Sequence, residues 1–315
     1  MRTMNDWPPS LNSADLCRVR FALDFLSPCD LLQGDLLRLR RPLMMAARQG
    51  FVGRGEDPEL RLRRLFDPPL SSDPFAVKRF QKPSPGFVVH PNGIADQKLE
   101  AGDRLVIETL FFGSAIQLMA DFILCLQNLG RSGLARGEGL FELTEVASVG
   151  EDGQQRVFWR QKMSLESLAP QIVTIDSALE DCLPAGRAYR IEVITPARLL
   201  HRGRLLRAPK FTQLFPFMLR RVSSLLYACC GLELADEAGW LLDAASRVAE
   251  VDSGWNWHDW RQLGEDHDPV GGVTGHLTVE GPDNAQLGWI VALATLCGIG
   301  KGAAYGAGQL RLFDR

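Results

Sequence analysis

The chain has 315 residues, 46% of them hydrophobic, and a formal net charge of −3 at pH 7. That length supports two domains of ordinary size, each with its own core. Met1 to Ser10 contains Trp7-Pro8-Pro9 and no apolar run, and the apolar stretch from Leu118 to Leu126 is too short to span a bilayer, so we expect a cytoplasmic protein with no membrane segment.

Seven cysteines, at 17, 29, 125, 182, 229, 230 and 297, include no CxxC pair, which argues against a disulfide framework and against a thiolate zinc site. No cofactor and no metal are expected. Of the 35 basic residues 29 are arginine, and they cluster. Arg198 to Arg221 holds seven Arg or Lys and no carboxylate, while Arg38 to Lys82 holds eleven basic residues against five acidic ones. Arginine's planar, permanently charged fork suits phosphate oxygens, so both segments are candidate nucleic-acid footprints.

Val19 to Leu26 alternates and is rich in β-formers, predicting a strand. Pro42 and Gly50 bracket a short helix that carries Arg48, and Val52 to Pro85 is an excursion rich in Arg, Pro and Asp. GFVVHP and DRLVIETLFF predict two strands, Ala115 to Leu129 a long helix, and the stretch from Leu140 a further strand. Asp152-Gly153 marks a hairpin turn leading to a strand at Val157 to Trp159. Ser164 to Gly186 shows no period and reads as a linker. The second half repeats the order: a strand at Tyr189 to Thr195, helices at Phe211 to Cys230 and Ala235 to Val248, the strand GGVTGHLTVEG, a helix at Ala285 to Cys297 and a strand at Gln309 to Phe313.

Each half is therefore βαββαβ with additions. The expected fold is α+β: two tandem ferredoxin-like (RRM-like) domains at 1–165 and 188–315, joined by a linker at 166–187. The halves also align at an offset of about 170 residues, with Gly133, Gly137 and Gly139 opposite Gly302, Gly306 and Gly308, and Val19-Arg20-Phe21 opposite Tyr189-Arg190-Ile191.

The sharpest motif is GIGKGAAYGAGQLRL, Gly298 to Leu312. Gly298, Gly300 and Ala303 imitate a dinucleotide fingerprint, but that turn must run from strand into helix, and this one leaves a helix and enters a strand. A helix-to-strand glycine loop can instead bring backbone N–H groups to a phosphate chain, with Lys301 adding a point charge.

GIGK followed by YGAGQ before the last strand resembles the signature loop of the repeat-associated (RAMP) superfamily, and specifically of its pre-crRNA-processing endoribonucleases from CRISPR systems. RLFDPPL (Arg64 to Leu70), LVIETLFFGSAIQL, ITPARLL (Ile194 to Leu200), FTQLFPFMLRRVSSLLY and WHDWRQ (Trp257 to Gln262) are similar to further segments of that family, in the same order. The resemblance implies that Gly298, Gly300, Lys301, Gly302, Gly306, Gly308, Arg220 and Arg221 bind RNA, and the carboxylate-free basic stretch adds Arg202, Arg204, Arg207 and Lys210 as phosphate contacts. It implies as partners a CRISPR repeat RNA hairpin, the processed guide RNA and other CRISPR effector subunits. Many members carry a histidine on the first helix of the first domain; here that helix offers Arg48.

Cleavage of this kind needs a base for the 2′-hydroxyl, an acid for the leaving 5′-oxygen and a cation for the phosphorane charge. No carboxylate or Cys/His constellation resembles a two-metal site, so a metal-independent reaction is expected. Of five histidines, His90 and His276 fall in predicted strands, and His267 alone supplies no complete site. His201 opens the arginine stretch, and His258 lies between Trp257, a stacking surface, and Asp259, an orienting acid. His258 and His201 are the candidate acid–base residues, with Arg48 and Arg41 as charge stabilisers. The competing reading is a catalytically silent RAMP subunit that binds guide RNA or scaffolds a complex.

Overall fold

A computed structural model describes residues 7–53, 55–69, 83–91, 96–135, 137–180, 182–183, 186, 188–259, 271–281 and 284–314. It divides into two compact units: Asp15–Val173 with Ala228–Cys230, and Met1–Ala14 with Thr174–Tyr227 and Gly231–Arg315.

The first unit is built on β1 (Asp15–Phe25), α1 (Arg40–Phe51), α2 (Pro58–Phe66), β2 (Phe87–His90), β3 (Arg104–Phe112), α3 (Met119–Ser132), β4 (Phe141–Val149) and β5 (Gln155–Arg160). Its sheet is antiparallel in the order β2-β3-β1-β4-β5, with Phe21 of β1 facing Ile107 on one side and Val146 on the other. Alternation sends Val19, Phe21 and Leu23 of β1 into the core at 0% exposure. There Phe122 of α3 meets the rings of Phe87, Phe21 and Phe111 at centroid separations of 4.9, 5.3 and 5.4 Å. This aromatic cluster ties the sheet to the helix, at ~0.5–1.5 kcal/mol per ring pair beyond the buried area.

The second unit follows the same plan with β6 (Ala188–Ala197), the short hairpin β7 (Leu200–His201) and β8 (Arg204–Leu205), α4 (Phe211–Cys230), α5 (Ala235–Ser246), β9 (Ala249–Asp259), β10 (Gly271–Glu280), α6 (Asn284–Cys297) and β11 (Leu310–Asp314). Its sheet order is β9-β10-β6-β11. In both units the first core strand lies between the third and the fourth, and the second forms an edge of those four, which is the ferredoxin-like arrangement. Both halves are ferredoxin-like, as the element order implied.

Three local readings change. Residues Pro58–Phe66, placed in an irregular excursion, form a helix because Asp57 accepts the Glu59 N–H at 3.0 Å and Pro58 sits in the first turn. Strand β9 was not anticipated: Asp, Ser, Gly and Asn weaken its β-pattern, and β10 is the only strand it pairs with among the described residues. The segment 166–187, read as a linker, contains the strand Val173–Thr174 and the helix Ile175–Glu180, with Ile175 and Leu179 wholly buried. The Ile175 N–H donates to the Ala14 carbonyl at 2.8 Å, which explains why the start of the chain groups with the second unit.

Candidate nucleic-acid interface

The glycine loop joins α6 to β11. Gly298, Gly300, Gly302, Gly306 and Gly308 all take left-handed φ, from 62° to 88°, which only glycine adopts without strain. The reason is close packing against the chain itself. A Cβ on Gly308 would stand 2.1 Å from the Ile299 carbonyl oxygen, and one on Gly300 would stand 2.7 Å from that of Arg198.

Most amides of the loop are already used. Gly298, Ile299, Lys301, Tyr305, Gly306, Ala307 and Gly308 donate to carbonyls of the protein, and Gln309 donates to the Thr195 hydroxyl. The expected row of amides open to a phosphate chain shrinks to the tip, where Lys301 and Gly302 are exposed and Gly300 is half-buried. Gly298, Gly306 and Gly308 are buried and shape the loop from within.

The tip adjoins the basic segment. The Lys301 N–H donates to the Arg198 carbonyl at 3.2 Å, which seats the loop against the exit of β6. Two residues later the β7–β8 hairpin begins, with Arg202 (φ 50°) and Gly203 (φ 76°) as its turn. Two consecutive positive φ values match the twist of a two-residue hairpin and project Arg202 from its end. His201 and Arg204 face each other across the hairpin, both exposed. Arg207 stacks on the Trp257 ring of β9 at 5.0 Å. Among the described residues Arg202, Arg204, Arg207, Lys210 and Lys301 form no ion pair, so their charges are available to an anionic partner.

The segment that lacks a carboxylate in sequence gains one in space: Glu250 of β9 accepts the Phe211 N–H at 2.6 Å, where the positive end of the α4 dipole lies. Arg220 and Arg221 also separate. Arg220 is exposed and lies over Phe217 at 5.1 Å, whereas Arg221 donates to the Cys297 carbonyl at 3.2 Å, bonding the end of α6 where the loop begins.

His258 is exposed on β9 opposite Gly272. Successive strand residues alternate faces, so Trp257 lies on the opposite side of the sheet from His258 and does not form the adjoining stacking surface that their sequence neighbourhood suggested. His276 Nε2 donates to the Asp252 carboxylate at 2.9 Å, and His90 is buried in β2. His267 and residues 260–262 of the WHDWRQ segment lie outside the described residues, as does Leu70 of RLFDPPL.

Arg41 and Arg48 belong to the first unit, on the exposed side of α1; Arg48 approaches Glu59 at 3.8 Å and both side chains remain about 60% exposed. Much of the remaining charge in that segment is consumed internally. Arg40 pairs with Asp67 at 3.1 Å, Arg61 pairs with Asp121 while covering the Phe51 ring, and Arg64 pairs with Glu56. The expected broad footprint between Arg38 and Lys82 is therefore largely an ion-paired helical surface over the described part.

A family model described as CRISPR-associated endoribonuclease Cas6 matches residues 191–310, the span that holds the hairpin and the glycine loop. In sequence, this part of the chain is similar to the CRISPR-associated Cas6 endoribonucleases. A second family model, described as an N-terminal domain, matches residues 61–171. Among solved structures, a Cas6 product complex is 16% identical with a TM-score of 0.55, covering 95% of this chain and 99% of that one. Cas6 of Thermus thermophilus is 15% identical with a TM-score of 0.52 over the same shares. A partial Cas6-RT-Cas1–Cas2 complex is 15% identical with a TM-score of 0.58, covering 95% of this chain and 46% of that one. At these identities the shared property is the fold. No curated protein matches the chain in sequence.

Among the described residues no helix is long and apolar enough to cross a membrane.

Proposed function

We propose that this chain is the endoribonuclease that cuts CRISPR repeat RNA into guide RNAs in the cytoplasm. The observation that carries this reading is the coincidence of the Cas6 match at residues 191–310 with one unit that joins the loop tip to an unpaired basic hairpin. Lys301, Arg202, Arg204 and Arg207 hold the RNA backbone, and a structured hairpin suits such phosphate contacts better than a base-stacking platform.

In the proposed reaction the RNA's own 2′-oxygen attacks the adjacent phosphorus and the bond to the 5′-oxygen breaks, leaving a 2′,3′-cyclic phosphate and a 5′-hydroxyl. His201 or His258 moves the protons, and no metal ion is required. A catalytically silent scaffold is not favoured by the endoribonuclease family match. Retention of the guide RNA and assembly with other CRISPR proteins belong to the same proposal; one solved structure similar in fold is titled a partial Cas6-RT-Cas1–Cas2 complex.

The test is incubation of the purified protein with its own repeat RNA and with a scrambled hairpin. Cutting at one position of the repeat, with a cyclic phosphate end, is expected. Tight binding without cutting overturns the enzymatic reading in favour of the silent subunit.

A further inference from the structure

The basic segment supports its arginines in two ways. Arg202 and Arg204 stand on the β7–β8 hairpin, where backbone pairing fixes the point from which each side chain starts. Arg207 has no such element beneath it. It lies on the bend between β8 and α4, exposed together with Ala208. The backbone is anchored on either side, at Leu206, whose N–H donates to the Leu199 carbonyl at 3.0 Å, and at Pro209, which is buried. The side chain itself is held by Trp257, with the guanidinium carbon 5.0 Å from the ring centroid.

That indole is a fixed seat. Trp257 pairs with Val273 of β10, which is wholly buried, and residues directly opposite across two strands share a face, so the ring stands on the side of the sheet that carries the core. A Cβ on Gly271 would stand 2.7 Å from Cζ2 and 2.8 Å from Cε2 of the ring, so the indole occupies the space that the missing side chain leaves. A long side chain loses rotamer freedom when it takes hold of a ligand, and one already resting on a ring has lost part of that freedom beforehand. Unlike a carboxylate, the ring leaves the cation its charge. Arg207 has no ion-pair partner among the described residues, so its fork stays available to an anion.

We propose that Trp257 is a positioning residue for RNA binding, which holds Arg207 in place for one backbone phosphate beside the contacts of the hairpin. The proposal rests on the RNA-binding reading argued above. It gives the tryptophan of the WHDWRQ segment a role that does not depend on His258. An aliphatic side chain at 257 could fill the space over Gly271 but would leave the arginine loose.

The test is a double-mutant cycle, read by binding to the repeat RNA hairpin across a salt series: wild type, Trp257→Leu, Arg207→Gln and the double variant, each with a thermal melt. Trp257→Leu should weaken binding about two- to fivefold, the range of an exposed cation–π contact. Its salt slope should match that of wild type because the charge is kept, whereas Arg207→Gln should flatten the slope. In the Arg207→Gln background the tryptophan change should have no further effect, and Trp257→Phe, which keeps a ring beneath the guanidinium, should restore most of the affinity. Trp257→Met takes the place of the leucine variant if that one melts early. A loss of affinity that is the same with and without Arg207 would show that Trp257 acts through the fold of β9, and would overturn the proposal; so would no loss at all. Because the cycle reads binding, a protein that binds the hairpin without cutting it fails the endonuclease reading and leaves the positioning role standing. A wild type that does not bind the hairpin ends both.

Discussion

The Thr195 hydroxyl donates to the Gly306 carbonyl at 2.6 Å. The same oxygen accepts the Gln309 N–H at 2.8 Å, and the residue is 3% exposed, so one buried hydroxyl at the end of β6 clamps both sides of the loop's last turn. Thr195→Val keeps the shape and removes both bonds, leaving a buried carbonyl and N–H without their partner. A loss of ~1–3 kcal/mol in denaturant unfolding is expected, together with weaker RNA binding, and Thr195→Ser should restore both. A valine variant with wild-type stability and affinity would show that the clamp does not position the loop.

Arg202, Arg204 and Arg207 are expected to set the salt dependence of binding. Each neutralised phosphate releases condensed counterion, so the logarithmic slope of affinity against salt should flatten by ~0.7–0.9 for each phosphate that no longer meets an arginine. Replacing the three by glutamine and measuring affinity across a salt series checks this. An unchanged slope would mean that the hairpin points away from the RNA.

The histidine assignment separates by kinetics. Loss of the acid–base imidazole should slow cutting by about 10² to 10⁴ with binding retained, and a 2′-deoxy nucleotide just upstream of the scissile phosphate should abolish it. Activity should survive EDTA. Full-rate cutting by both His201→Ala and His258→Ala would leave Arg41, Arg48 or Tyr305 to carry the reaction, and inhibition by EDTA would overturn the metal-independent mechanism.

A fourth expectation concerns acid stability. Asp24 takes two bonds from Arg104, at 2.6 and 2.8 Å, and the hydrogen bond from Arg104 holds its carboxyl below the usual range. A depressed folded value means that the pair stabilises the protein above the unfolded pKa of about 3.9 and loses that contribution as pH falls through the folded value. Asp24→Asn should therefore be less stable than wild type at neutral pH, by no more than ~1 kcal/mol for so exposed a pair. The gap should close as pH falls below the unfolded value and through the lower folded one. A gap that stays constant with pH would place its origin in packing.

The opening strands, most of the βαββαβ order and the paired glycines were legible in sequence because they depend on local pattern: alternation in β1 and β6, and backbone conformations open chiefly to glycine. What stayed hidden depends on distant partners. Nothing near Arg221 in sequence announces the Cys297 carbonyl 76 residues away, and nothing near Phe211 announces Glu250, 39 residues on. The glycine motif showed where the chain turns but not that its amides are largely spent on Pro196, Arg198 and the loop itself. The His258 neighbourhood misled because adjacency along a strand is opposition across a sheet, and the strand itself, an edge of its sheet, was not visible in the pattern.

Glu250 at the start of α4 has one more consequence. A bare helix start beside a basic hairpin would be a ready trap for any small anion, from inorganic phosphate to a nucleoside triphosphate. Here the protein's own carboxylate is the resident occupant, so a lone phosphate must displace it to lodge there. A long polyanion faces no such contest, since it can engage the separated cations together and leave that seat alone. The carboxylate thus fills, from within the chain, the seat that a bare helix start would offer to a small anion.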